Sequence, residues 1–266
     1  MTVGFIGTGN MGGALARAAA KAVGGSNLYL ANRTLDKAQT LAQELGANVC
    51  ANEEAASRCD YLFLGVKPQM MAGMLQSLQP VLAQRTTPCV LVSMAAGLTM
   101  DTIRSMAGCA LPVIRIMPNV ACAVGQGLTL YDCDSRVTQQ QRQEFCAILA
   151  QSGALEPLAE GLMDAASTVA GCGTAFACLF LEGLADGAVA CGLSRAQAQR
   201  YAGQMLLGAA ALMLETGQHL GQIKDSVCSP GGTTIAGVRA LEQQGFRSAA
   251  MEAVLAAYRR TLELQQ

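Results

Sequence analysis

Two glycine-rich strings carry the chemistry legible in this 266-residue chain. The first, Gly7-Thr8-Gly9-Asn10-Met11-Gly12, is a G-x-G-x-x-G that follows the apolar run Val3 to Ile6 and opens a helical pattern. In that setting the first glycine turns the chain tightly, the second lets bare backbone approach a pyrophosphate, and the third permits close helix-to-strand packing. The amides of the helix start then face the anion with the favourable end of the dipole. Further on, where an NAD-selective site places an acid against the ribose 2′-hydroxyl, the chain reads Ala31-Asn32-Arg33-Thr34. Arg33 is suited to pair with a 2′-phosphate, and Asn32 and Thr34 to donate to it, so NADPH is favoured while NADH stays usable. A solvated loop arginine is the plainer reading of Arg33.

The second string, Ser229-Pro230-Gly231-Gly232-Thr233-Thr234, precedes a helical pattern over Ile235 to Gln244 and reads as a helix start with Ser229 as cap and Pro230 in the first turn. Glycines weaken a helix, so two of them beside two hydroxyls make sense where bare amides must approach an anion such as a substrate carboxylate. An ordinary capped turn is the alternative. An acid–base group for a hydroxy-acid dehydrogenase is missing, because neither lysine nor histidine lies between Asp164 and Ser194. The lone histidine, His219, sits in a glycine-flanked segment as a loop or packing residue. An imine substrate relaxes the demand, since a protonated C=N is already electrophilic.

Six short apolar runs are expected as strands: Val3 to Ile6, Leu28 to Ala31, Tyr61 to Val66, Cys89 to Ser93, Val113 to Met117 and Gly127 to Tyr131. Helical periodicity over Gly13 to Val23, Leu35 to Leu45, Gln69 to Leu82, Met100 to Met106 and Thr138 to Gln151 alternates with them. That order predicts an α/β fold, a Rossmann-like N-terminal domain over 1–158 with a mostly parallel sheet. Gly65-Val66-Lys67-Pro68 and Ser93-Met-Ala95-Ala96-Gly97 fall at strand ends, where such sheets bind ligands. Ala95 and Ala96 leave room for a nicotinamide ribose, while Lys67 either contacts the cofactor or caps a strand.

Over 159–266 an all-α domain for substrate binding and dimerisation is expected. Gly161 to Gly192 holds only Asp164, Glu182 and Asp186 as charges, and a helix without a polar face must be buried, most economically against a second copy. The chain is 52% hydrophobic and 14% charged, with a formal net charge of −1. That leaves no basic field for nucleic acid or an anionic membrane surface. Apolar stretches such as Leu206 to Leu214 are too short to span a bilayer. One histidine and eleven cysteines without a CxxC offer no ligand set for a metal, and scattered thiols suit a reducing cytoplasm. The amino terminus lacks the basic and apolar regions of a secretory signal.

These residues together resemble the pyrroline-5-carboxylate reductase family of proline biosynthesis over essentially the whole length. The resemblance rests on Gly4-Phe-Ile-Gly-Thr-Gly-Asn-Met-Gly12, Asn32-Arg-Thr34, Val66-Lys-Pro68, Ser93-Met-Ala-Ala-Gly97, Met117-Pro-Asn119 and Lys224-Asp-Ser-Val-Cys-Ser-Pro-Gly-Gly-Thr-Thr234. It implies NADPH contacts from Gly7 to Gly12, Asn32 to Thr34, Asn52, Lys67 and Ala96. It also implies a substrate site formed by Val227, Ser229, Gly232, Thr233 and Thr234, with the Thr234 hydroxyl nearest the imine nitrogen as the catalytic candidate. The family implies a homodimer, sometimes assembled into a decamer of five dimers. One departure stands out: where the family usually has Gly-Ser-Gly-Pro-Ala-Tyr, this chain has Gly171-Cys172-Gly173-Thr174-Ala175-Phe176. That puts local helix geometry and substrate affinity in question. Within enzymes the rival is a β-hydroxy-acid dehydrogenase; in another class it is a catalytically silent NADPH-binding sensor.

Overall fold

A computed structural model describes residues 1–263. Its strands are β1 (Val3–Ile6), β2 (Leu28–Ala31), β3 (Asn48–Val49), β4 (Tyr61–Leu64), β5 (Val90–Ser93), β6 (Val113–Pro118), β7 (Gly127–Cys133) and β8 (Gly153–Pro157). They form one sheet in the order β3-β2-β1-β4-β5-β6-β7-β8, parallel except for the antiparallel β6·β7 pair. Crossover helices cover both faces: α1 (Asn10–Val23), α2 (Leu35–Leu45), α3 (Asn52–Arg58), α4 (Pro68–Ala83), α5 (Met100–Ala107) and α6 (Gln139–Leu149). Strands β1, β4 and β5 are buried on both faces, which is why they read as unbroken apolar runs.

Alternation along β4 divides the core. Tyr61 and Phe63 join Phe5, Leu15 and Leu41 on one face, where the Phe5 and Phe63 rings stack at 4.6 Å. Leu62 and Leu64 join Ile6, Met71, Leu75 and Ile103 on the other. The six expected strands and five expected helices all form, β1, β2 and α2 with the expected ends and the others with shifted ones; β4 stops at Leu64 and α1 starts at Asn10. Two strands and one helix are additional. Exposed β3 is only two residues long, and β8 carries Glu156 and Pro157, tolerated because one side of an edge strand needs no ladder partner. Helix α3 fills the crossover from β3 to β4.

By packing, the chain divides into residues 1–171 together with 260–263, and residues 172–259. The first unit includes α7 (Glu160–Ala170), so the sequence boundary at 158/159 and the packing boundary differ by this helix. The second unit is all helical: α8 (Gly173–Ala190), α9 (Arg195–Thr216), α10 (Leu220–Ser226), α11 (Thr233–Gln243) and α12 (Phe246–Glu263). Helices α8 and α9 pack together, and Ser194 starts α9 with a capping box closed by Gln197. Rings of Phe180 and Phe246 lie 5.3 Å apart.

Among the described residues of this unit, only Ala185, Ala198 and Ala202 are buried hydrophobics. Leu179 and Leu214 are 71% and 76% exposed, and Leu207, Met251 and Leu255 are exposed too. The run Glu160–Ala190, with mean hydropathy 1.5, is long and apolar enough to cross a membrane by length and composition. The expectation that apolar stretches such as Leu206 to Leu214 are too short to span a bilayer does not extend to this longer run. A turn at Gly171 and Cys172 interrupts the run between α7 and α8.

Candidate active site

The glycine loop joins β1 to α1 beside the point where strand order reverses around β1. Gly7 has φ +98°, and a Cβ there would stand 2.6 Å from the Gly65 carbonyl oxygen. A Cβ on Gly12 would stand 2.1 Å from the Gly7 oxygen, so that position admits no side chain. Space beside Gly9 is open, and Gly9 supplies the N-cap of α1 without a capping side chain. Its first-turn amides therefore face outward unpaired by any side-chain cap. The Thr8 hydroxyl, in a residue only 7% exposed, has no partner in the described structure. A cavity of about 380 Å³ beside it is lined by Thr8, Gly9, Asn10, Arg17, Asp36 and Lys37, among others. Orphaned hydroxyl, bare helix start and close-packed glycines fit a phosphate-bearing cofactor.

Neighbouring strand ends complete this region. The Asn32 side chain accepts from Thr8 N at 3.1 Å and donates to the Thr34 carbonyl at 2.9 Å, locking the turn after β2 against the glycine loop. Asn32 is thereby a structural strut. Arg33 and Thr34 are exposed. Arg17 also lines the cavity, but its guanidinium is held by Glu44 at 2.6 and 2.7 Å; that hydrogen bonding raises the pKa of Arg17 and lowers that of Glu44. Asn52 starts α3, half-buried. Gly65 donates to Ile6 at 2.8 Å, Val66 is half-buried, Lys67 occupies the N-cap of α4 and Pro68 its first turn. The expected strand cap is thus a helix cap made by backbone, which leaves the Lys67 side chain exposed. Ala95 is buried, with its amide 3.4 Å from the Ser93 hydroxyl, and Ala96 is exposed.

The other candidate residues lie in the second unit. Ser229 does not cap a helix, contrary to the sequence reading. Its carbonyl accepts from Gly232 N at 3.0 Å, and Gly231 has φ +68°, so Ser229-Pro230-Gly231-Gly232 forms a turn with proline second and positive-φ glycine third. Gly232 is the N-cap of α11, and the helix begins at Thr233. Thr233 and Thr234 are exposed in the first turn, with hydroxyls beside amides that lack intrahelical acceptors. Val227 is exposed just before the turn, at the end of α10. His219 caps α10, its Nδ1 accepting from Gly221 N at 3.1 Å. Cys172 is exposed in the turn before α8, and Thr174 falls in the first turn of α8. A first turn tolerates either threonine or proline, and α8 starts at Gly173 with Cys172 at its N-cap.

Sequence reasoning missed a polar cluster in which buried Arg115 meets half-buried Glu160 and Asp164. Its signal was present as an arginine inside the apolar run Val113 to Met117. Among the described residues, no group of three or more His, Cys, Asp or Glu is placed to hold a metal ion.

An open, mostly parallel sheet with a glycine loop at its switch point, joined to a helical unit, defines a dinucleotide-binding protein of the two-unit oxidoreductase class. Residues 160–264 match the family model described as pyrroline-5-carboxylate reductase dimerisation, and 2–97 match one described as NADP oxidoreductase coenzyme F420-dependent. Pyrroline-5-carboxylate reductase of Escherichia coli is 36% identical, covering 95% of this chain and 94% of that relative. The Synechocystis enzyme of that name is 44% identical over 80% of this chain and 78% of its own. The crystal structure of Plasmodium falciparum pyrroline carboxylate reductase with NADP bound is similar with TM-score 0.86 and 30% identity, covering 100% of this chain and 98% of that one. The chain belongs to the pyrroline-5-carboxylate reductase family.

Proposed function

We propose that this protein reduces the C=N bond of 1-pyrroline-5-carboxylate with hydride from NADPH and a proton taken up from solvent, giving L-proline and NADP⁺. The observation that carries the reading is a pair of glycine-opened helix starts, one in each unit, in a chain matched over nearly its full length by reductases of that name. When bound, the reduced nicotinamide supplies the hydride. Amides at Gly9 to Gly12 hold the pyrophosphate, and the Thr8 hydroxyl gains the partner it lacks. Arg33 and Thr34 engage the 2′-phosphate, favouring NADPH over NADH. Asn52, Val66, Lys67, Pro68, Ala95 and Ala96 line the rest of the cofactor's path.

Val227, Ser229, Gly231, Gly232 and Thr233 hold the substrate ring and carboxylate, and the Thr234 hydroxyl hydrogen-bonds to the imine nitrogen. With no Lys or His on α8, acceleration comes from proximity and orientation of two bound reactants. The protein works in the cytoplasm as a homodimer whose apolar helices cover one another rather than entering a bilayer. A decamer of five dimers is the larger assembly in view. Loss of NADPH absorbance on mixing with pyrroline-5-carboxylate, with proline identified as product, is the expected result. Bound NADPH without protein-dependent turnover would refute the reaction.

A further inference from the structure

We propose that Arg115 and Glu160 are positioning residues for the cofactor: they fix both ends of the loop 94–99 that presents Ala95 and Ala96. The inference rests on the reading above, in which this loop meets NADPH. Arg115 is 2% exposed in the middle of β6, directly beside Ser93 of β5 and Asp132 of β7 in the sheet register. A guanidinium is disfavoured in such a place unless it is paired and hydrogen-bonded. One terminal nitrogen lies 2.8 Å from Asp164 and the other 3.5 Å from Glu160, both carboxylates coming from α7.

The pairing does more than neutralise charge. The same Glu160 oxygen that faces Arg115 accepts from the backbone N–H of Met100 at 2.7 Å, at the first residue of α5. Glu160 is itself oriented by its own N–H, which donates to Asp132 at 2.7 Å. The loop therefore leaves the sheet at Ser93, next to Arg115, and ends at Met100, on the carboxylate that Arg115 holds. Within it the Ala95 amide lies 3.4 Å from the Ser93 hydroxyl, and Thr99 caps α5 by accepting from Thr102 N at 3.1 Å. Securing α7 to the sheet explains Asp164. It does not explain why a second carboxylate, still partly open to water, is turned toward the start of α5. Arg115 keeps that carboxylate from turning outward, and a negative charge at a helix N-terminus is well placed against the dipole.

Glu160→Ala removes the acceptor while leaving Arg115 paired with Asp164; Glu160→Gln keeps an oxygen for Met100 N. Backbone amide exchange over residues 95–100, measured without cofactor, reads the loop directly, and NADPH titration and steady-state kinetics read its consequence. In Glu160→Ala, exchange at Met100 should rise and KM for NADPH increase, each about tenfold, with kcat changed less than about twofold. Glu160→Gln should restore both toward wild type. Faster exchange at Met100 with an unchanged NADPH Kd would overturn the positioning role, as would faster exchange spread evenly over the sheet in step with a lower Tm. A wild-type protein that binds NADPH but reduces no imine would sink the proposed reaction alone, because exchange and Kd still test the loop.

Discussion

Gly9 and Gly12 sit three residues apart in one loop and answer to different constraints. A Cβ at Gly12 would collide with backbone, whereas one at Gly9 meets nothing within 4 Å. Gly12→Ala should therefore cost about 1–3 kcal/mol of stability, seen as a lower denaturant midpoint. Gly9→Ala should fold normally but raise KM for NADPH, because its methyl occupies the space needed by the pyrophosphate. Equal stabilities with equal KM values would remove both assignments. Thr234 belongs to the same scale: exposed in the first turn of α11, it can lose its methyl or hydroxyl without disturbing a core. Thr234→Ala should lower kcat about a hundredfold and Thr234→Ser should retain it, with both unfolding as wild type does. Kinetics unaltered in Thr234→Ala would exclude this hydroxyl from the reaction. The glycines and threonines were legible because each stands in a short local string. Arg115 was visible only as an anomaly, since its partners lie 45 and 49 positions away and no spacing rule connects them.

Strands buried on both faces declared themselves in the sequence, while β3 and β8 did not. An edge strand with one solvated side carries no continuous apolar run, so periodicity has nothing to detect. The helix start at Thr233 was misplaced for a related reason: Pro230 fits a first turn and the second position of a tight turn equally well, and only the positive φ at Gly231 decides between them. The interior also sets an alkaline limit. Burial pushes the thiols of Cys50, Cys89 and Cys133 up to about 11 from an ordinary 9.0. Through that interval the folded protein keeps protons the unfolded chain has shed, so stability is full below about pH 9 and falls as pH rises toward 11. Tm measured at pH 8, 10 and 11 should decline across this window; a constant Tm would show that these thiols are not held in apolar surroundings.

At the scale of the whole molecule, the two units differ in how they satisfy their apolar residues. The sheet unit buries its own on two faces, whereas the helical unit leaves Leu179 and Leu214 largely in water. Patches of that kind mark association surfaces. Replacing both leucines by glutamate should shift the mass in solution toward a single chain and lower Tm at fixed concentration. Unchanged mass in a folded variant would place the interface elsewhere. The second unit was recognisable as helical and apolar from composition, and the matching dimerisation model likewise starts at residue 160; that Arg115 ties α7 to the sheet in the packing is something no sequence pattern reveals.

Strand order has a further consequence in time. From β4 to β8 each strand takes its place beside its predecessor, so the sheet can grow outward in step with synthesis while the apolar helices are still to come. Those helices emerge last, when every strand of the sheet has already been made. For the proposed dimer, the vulnerable interval in the life of the chain is bimolecular: it closes at a rate set by how many newly made copies are nearby. Slow expression, which lengthens the search for a second copy, would then leave those apolar helices uncovered for longest.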